Sequence, residues 1–264
     1  MENNETPAWE PPPPPEKIAP VEQPEMSEVS SLLNIFMEPG RTFEDLRKKP
    51  RFILGLVLVC LLASASAFAL YQKVGEAGIR RAVNEQLDRS PQTASVPPEQ
   101  RQGIMGFNLT LQKFMPVVVL VIVPIFIFLI GLFYFLGAKA FGGNGGFMHA
   151  VSVVVYSSIP PSVLMTLASF IVLAIKSADE IDLTSAQRGG LVQANPSMFV
   201  DGKAHAVLAA ILSSVDVFQI WGWILAAIGL RITNKLSSGS AWAIVLIFAL
   251  IGVLMKVIGA FFSS

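Results

Sequence analysis

Two ionisable side chains lie inside long apolar stretches of this 264-residue chain, and they are its first candidates for chemistry. Polar groups are costly in hydrocarbon, so Asp216 and Lys256 mark possible functional positions. Each lies about 20 residues, or roughly 30 Å of helix, from the short connection around Leu236. On antiparallel helices they would share one height near the edge of the hydrocarbon. There they could form a cross-helix ion pair, or each could reach the interface separately.

The third apolar stretch carries a second candidate feature, the segment Tyr156-Ser157-Ser158 followed by Pro160 and Pro161. Proline removes a backbone donor and clashes with the preceding turn, so a kink or an unwound turn is predicted here. Transporters line substrate sites with such breaks, whereas serine hydroxyls can also satisfy a purely structural kink. Trp221 is interpreted as a packing or interface residue rather than as part of a ligand cage.

The remaining reactive residue types do not form a catalytic, metal or cofactor pattern. Cys60 is the single cysteine, and His149 and His205 lie far apart. The run Gly142 to Gly146 follows an apolar stretch rather than a strand, and it lacks the Lys-Ser/Thr ending of a phosphate-binding loop. We therefore expect a protein that is not an enzyme and that binds no cofactor or metal.

The composition identifies the elements that must position these residues as membrane helices. Hydrophobic residues make up 53% of the chain and charged residues 14%, against about 25% charged residues in soluble domains. Charge-poor stretches long enough to cross a bilayer predict an all-α polytopic membrane helix bundle in residues 52–264. The five predicted spans cover about 52–72, 115–137, 150–175, 210–231 and 240–262. Nineteen basic residues balance nineteen acidic ones, which argues against nucleic-acid binding.

Two segments precede the first span. Residues 1–26 are rich in proline and acidic, which predicts a disordered cytoplasmic tail. Residues 27–51 form an amphipathic interfacial segment of two short helices. The first has an apolar stripe at helical spacing, ends at Pro39-Gly40, and is followed by an N-cap at Thr42 with Asp45 in the capping-box position. The stripe consists of Val29, Leu32, Leu33 and Phe36.

A basic cluster accompanies these helices and is predicted to face lipid headgroups. The cluster consists of Arg41, Arg47, Lys48, Lys49 and Arg51. The alternative is that the two helices only fix the entry of the chain into the membrane.

The polar segment between the first two spans is predicted to be a helical hairpin. Val74, Ile79, Val83 and Leu87 lie on its first helix, and Pro97-Pro98-Glu99 opens the second, which runs into the second span.

The distribution of basic residues predicts the orientation. Residues 41–51, 137–147 and 231–239 hold eight Lys and Arg in 31 residues, whereas 73–114 and 176–203 hold nine in 70. The positive-inside rule therefore predicts a cytoplasmic N-terminus and an external C-terminus.

The order of short motifs resembles the bacterial branch of the Yip1 family of five-span membrane proteins. The motifs are residues 36–43 before the first span, the glycine-rich turn with Phe147, residues 156–160, and residues 216–221. The resemblance covers about residues 32–262 and implies a location in the bacterial cytoplasmic membrane. Eukaryotic relatives act in vesicle traffic between the endoplasmic reticulum and the Golgi and bind Rab-type GTPases. Their Asp-Leu-Tyr-Gly-Pro motif has no counterpart here, which puts GTPase binding in doubt.

Two functions are consistent with the sequence. The first is a non-enzymatic scaffold that organises lipids or partner proteins, with the bilayer, other proteins or a second copy as its partners. The second is a small permease with Asp216 and the third span lining a path. A permease of this kind is expected to show internal repeats or several buried polar residues. The sequence shows no repeat and few such residues, so the scaffold is favoured.

Overall fold

The computed structural model describes residues 23–89, 95–183, 186, 190–192, 194–200 and 205–263, so most of the proline-rich tail lies outside the described residues. Within them the chain is helical without strands, which confirms the predicted all-α class. Short 3-10 helices cover Ala178–Glu180 and Pro196–Phe199. The α-helices are α1 (Glu28–Asn34), α2 (Pro39–Lys48), α3 (Ile53–Arg89), α4 (Pro98–Ala140), α5 (Phe147–Ile175), α6 (Ala206–Leu212), α7 (Val217–Thr233) and α8 (Ser238–Ser263).

Four of these helices, α3, α4, α5 and α8, are long and apolar enough to cross a membrane. The helices α6 and α7 together pass the same test, but a bend of 47° separates them. The described residues therefore hold up to five spans, which confirms the polytopic bundle. The structure divides the predicted fourth span, 210–231, at the residues just before Val217.

Close contacts fix the directions of the spans. Gly55 of α3 lies against Val155 of α5, and Ser66 lies against Thr166, so these helices run parallel. The α7 helix runs antiparallel to α5, because a Cβ at Gly222 would contact Pro161 whereas one at Gly229 would contact Val153. We call the end where α3 and α5 begin the docking end, and the opposite end the hairpin end.

The predicted hairpin is confirmed. The α3 helix continues beyond the first span to Arg89 and is interrupted at Gly75, whose φ of 64° lies in the left-handed region that favours glycine. Pro98 begins α4 as predicted. The buried residues of this end form a second hydrophobic cluster, separate from the main core of the bundle. Its members are Val74, Ile79, Val83, Leu87, Leu173, Ile181 and Leu183.

Candidate functional site

A buried ion pair joins the residues before the first span. Asp45 on α2 is 3% exposed, and its carboxylate accepts a hydrogen bond from Arg51, whose side chain is 11% exposed. Arg51 also donates to the carbonyl of Met26 at 2.7 Å, and Asp45 accepts the backbone N–H of Glu25. Breaking a buried pair leaves an uncompensated charge, so this pair holds the segment in one arrangement.

The ion pair also faces the third span. Tyr156 on α5 is 1% exposed; its hydroxyl faces the Ser31 side chain, and Arg51 and Asp45 lie close enough to act on it electrostatically. Ser31, which is fully buried on α1, accepts a hydrogen bond from Arg51 at 3.4 Å and donates to the carbonyl of Ser27 at 3.0 Å. Tyr156 is therefore one place where the N-terminal helices meet the bundle through polar groups.

Apolar contacts complete the attachment. Phe43 and Leu46 on α2 are fully buried, and a Cβ at Gly229 of α7 would lie 2.8 Å from Phe43 and 2.8 Å from Val153. Only glycine allows three helices to approach this closely. The apolar face of α2 is therefore covered by protein rather than by lipid.

The start of α2 corrects the sequence interpretation. The helix begins at Pro39, with Glu38 at its N-cap position, so the N-cap predicted at Thr42 is wrong. Thr42 is buried inside the helix, where its hydroxyl donates to the Glu38 carbonyl at 3.2 Å. Asp45 is consequently free of a capping role and available for Arg51. Proline at the first helical position is a common helix start, and this signal identifies the boundary.

The structure also separates the five basic residues of the predicted headgroup cluster. Arg51 pairs with Asp45 on the protein side, and its side chain is only 11% exposed. Arg41 is exposed and lies 3.6 Å from Glu38, and Lys48 lies 2.8 Å from Glu25. The hydrogen bond from Lys48 lowers the pKa of the Glu25 carboxyl below its usual 4.5. Lys49 is exposed and Arg47 is half-buried.

A histidine ties the third span to the end of α2. His149 Nδ1 accepts the backbone N–H of Gly146 at 3.2 Å, so its Nε2 carries the proton and donates to the Arg47 carbonyl at 3.1 Å. The first turn of α5 therefore holds the last turn of α2. No local sequence signal indicates this contact, because the two residues lie 102 positions apart.

Asp216 lies at the break between α6 and α7 and caps the second helix. It is 7% exposed and accepts the backbone N–H groups of Phe218 at 2.9 Å and Gln219 at 3.4 Å. Asn195, itself buried, donates its side-chain amide to Asp216 at 3.3 Å. An acidic side chain at a helix N-terminus is favoured by the helix dipole. The carboxylate oxygens of Asp216 thus have N–H donors as their hydrogen-bond partners.

Lys256 has a different partner. Its ammonium donates to the Ser213 carbonyl at 3.4 Å, and the residue is exposed on α8. Among the described residues no ion pair joins Lys256 to Asp216. Both side chains lie near the break between α6 and α7, in line with the equal height expected from the sequence. Asp216 caps α7, however, whereas Lys256 contacts the Ser213 carbonyl.

The double proline lies inside a continuous helix. Because α5 runs through Pro160 and Pro161, the structure excludes the unwound turn, which is one of the two predicted outcomes. The preceding Ser157 and Ser158 hydroxyls donate to the carbonyls of Val154 and Val155 at 3.1 and 2.8 Å.

Trp221 packs edge-to-face against Phe36, with ring centroids 6.4 Å apart, which agrees with the packing interpretation. In the described part of the chain, no three acidic, histidine or cysteine residues cluster as metal ligands would.

The architecture is that of a polytopic helical membrane protein whose N-terminal helix pair is fixed to one end of its spans. The chain belongs to the Yip1 domain family, whose model matches residues 33–260. It is similar to "Membrane protein YknW" of Bacillus subtilis (strain 168), with 26% identity over 243 residues that cover 89% of this chain and 95% of the relative. No solved structure matches the chain.

Proposed function

We propose that this chain is a non-enzymatic membrane scaffold that organises lipids or partner proteins around its α1–α2 pair. The observation that carries the proposal is the buried Asp45–Arg51 pair, which faces Tyr156 of the third span. A scaffold needs a surface with a fixed orientation relative to the membrane. The ion pair supplies this by attaching two short helices, which would be marginal alone, to the spans.

The surface that the α1–α2 pair presents is partly apolar. Val29, Leu33 and Met37 are 60%, 70% and 83% exposed, while the inward residues Leu32 and Phe36 pack on the core. The predicted stripe of α1 is therefore divided between the bundle and the outside. Exposed apolar side chains beside charged ones are typical of surfaces that contact a membrane or another protein.

In-cell photocrosslinking tests the scaffold. A photoreactive residue at Leu33 or Met37 should give a discrete protein adduct in the wild-type chain. Arg51→Met, which releases α1–α2, should abolish that adduct. Arg41→Met is the matched control, because it removes an exposed arginine from the same segment, and it should leave the adduct unchanged. If the wild-type chain gives no protein adduct, a protein scaffold is rejected and a lipid-contacting role is left. If Arg51→Met gives as much adduct as Arg41→Met, the proposed role of the ion pair in the scaffold is rejected.

A small permease is the second candidate, and the break between α6 and α7 supports it. Transporters build their sites at discontinuous helices, and the buried Asp216 and Asn195 lie together at such a break. Proteoliposomes that contain the purified chain test it by proton or cation flux. A flux that Asp216→Asn abolishes, in protein of unchanged thermal stability, would favour the permease. Equal flux through the wild type and the variant would reject a path that uses Asp216.

We further propose that the chain lies in the bacterial cytoplasmic membrane with its N-terminus in the cytoplasm and its C-terminus outside. The support is the Lys and Arg asymmetry of the sequence. Reporter fusions at Asn144 and Ser238 should report cytoplasmic positions, and a fusion after Ser263 an external one. A cytoplasmic signal at the last position would contradict either the orientation or the odd number of spans.

A further inference from the structure

An open apolar groove lies between α3 and α5 at the hairpin end of the bundle. It is a shallow depression that is wide open to its surroundings, with a volume of about 500 Å³. Its walls are mostly apolar, and two polar side chains close together on α3 lie among them. The lining residues are Ala69, Gln72, Lys73, Phe170, Leu173 and Ala174.

The groove lies where two spans leave the hydrocarbon. Lys73 is the first charged residue after the charge-free stretch 52–72 of α3, and Lys176 is the first after the stretch 150–175 of α5. The apolar lining residues come before these lysines along both helices. The groove therefore lies between the acyl layer and the level of the headgroups.

Lys73 is suited to bind an anion at this level. Its side chain is half-buried, and within the described residues no hydrogen bond or ion pair engages it. A lysine ammonium has three donors and binds phosphate as a point charge. The neighbouring Gln72 amide adds two further donors, so the polar end of the groove complements a phosphate group.

We propose that this groove binds one phospholipid, with an acyl chain along Ala69 and Phe170 and the phosphate at Lys73 and Gln72. Along the membrane normal, the apolar wall of the groove is followed by its cationic end, just as the acyl chain of a phospholipid is followed by its phosphate. The site lies at the opposite end of the bundle from the α1–α2 pair. It is therefore independent of the scaffold proposed above, and either proposal can fail without the other.

Native mass spectrometry of the full chain in detergent tests the site with two lipids that share their acyl chains. Dioleoylphosphatidylglycerol should bind about fivefold more tightly than dioleoylglycerol, which lacks the phosphate, corresponding to about 1 kcal/mol per lysine near an anionic group. Excess inorganic phosphate should not displace the phospholipid, because the acyl chain contributes the remaining affinity. Equal binding of the two lipids by the wild-type chain would overturn the proposal without any variant.

Three substitutions locate the binding. Lys73→Gln should lower phosphatidylglycerol affinity to that of the diacylglycerol, whereas Lys73→Arg should retain most of it. Ala69→Phe should fill the groove and weaken both lipids. Lys113→Gln is the matched control, since Lys113 is exposed on α4 at the same end of the bundle, and it should change affinity by less than about twofold. Wild-type affinity in either Lys73→Gln or Ala69→Phe would overturn the assignment.

Discussion

Two aspartates of this protein are nearly buried, and they are satisfied in different ways. Asp45 pairs with the guanidinium of Arg51, whereas Asp216 accepts two backbone N–H groups and the amide of Asn195. The first depends on an opposite charge, and the second depends on the start of a helix.

This difference separates a tertiary contact from a local one. The Asp45 pair lies among residues from α1, α2 and α5, so its loss should release a whole segment. The cap at Asp216 mainly fixes where α7 begins. An amide can replace the carboxylate in a cap, but it cannot neutralise an arginine. Substitutions that keep the shape and remove the charge therefore distinguish the two sites.

The largest effect is expected at the ion pair. Arg51→Met should lower the free energy of unfolding by about 3–5 kcal/mol, because it leaves Asp45 buried without its charge partner. The measurement is thermal or denaturant unfolding in detergent, together with protease sensitivity of residues 27–51. The double variant Asp45→Asn/Arg51→Met should recover part of the loss. Equal losses in Arg51→Met and the exposed control Arg41→Met would refute the structural role of the pair.

A smaller effect is expected at the cap. Asp216→Ala should cost about 0.5–2 kcal/mol, since it removes the acceptor for the first turn of α7. Asp216→Asn should cost much less, because the amide oxygen can still accept. The same unfolding assay compares the two. If Asp216→Asn is as harmful as Asp216→Ala, the charge matters at this site too, and the contrast with Asp45 fails.

The coupling between Asp216 and Lys256 should be smaller still. Because Lys256 donates to the Ser213 carbonyl, the losses in Asp216→Asn and Lys256→Met should add to within about 0.5 kcal/mol in the double variant. A double-mutant cycle measures this coupling. Recovery of stability in the double variant would instead indicate the ion pair that the sequence allows.

The smallest effect is expected at the exposed contact between Lys48 of α2 and Glu25. The Lys48 hydrogen bond holds the pKa of Glu25 below 4.5. The contact therefore stabilises the folded chain above the ordinary glutamate pKa, and this contribution is lost as pH falls through the lowered value. Hydrogen exchange of α1 and α2 should show a slight acid-dependent increase that Glu25→Gln removes. Because Glu25 is exposed, salt should weaken the effect. An increase that persists in Glu25→Gln would assign it to another group.

Much of the fold could be predicted, because the bundle depends on local patterns. The charge-free stretches predict the long helices, and the segment that holds Val74, Ile79, Val83 and Leu87 is predicted as a helix of the hairpin, where the structure buries these four residues. Each of these signals lies within one helix, so a single sequence is enough to identify it.

The candidate site could be predicted only in part, because its contacts join distant segments. Tyr156 and Arg51 are both recognisable as polar residues near a span, but nothing local indicates that they lie side by side. The break before α7 was missed because residues 204–230 are almost uniformly apolar. Asp216 before an apolar run is a helix-start signal, but it was interpreted as a charge within a continuous span. Its partner Asn195 comes from a loop that the sequence does not place.

The packing of α2 on α7 has a consequence for the synthesis of the chain. Phe43 is covered by Gly229, which leaves the ribosome about 190 residues later, or roughly 10–40 s later at about 5–20 residues per second. During this interval the side of α2 that packs on α7 has no permanent partner, although α3 is already available for membrane insertion. The nascent N-terminal segment must therefore rest on the bilayer surface or a chaperone until the fourth span is in place. Docking of α2 would then report that the fourth span has reached its place.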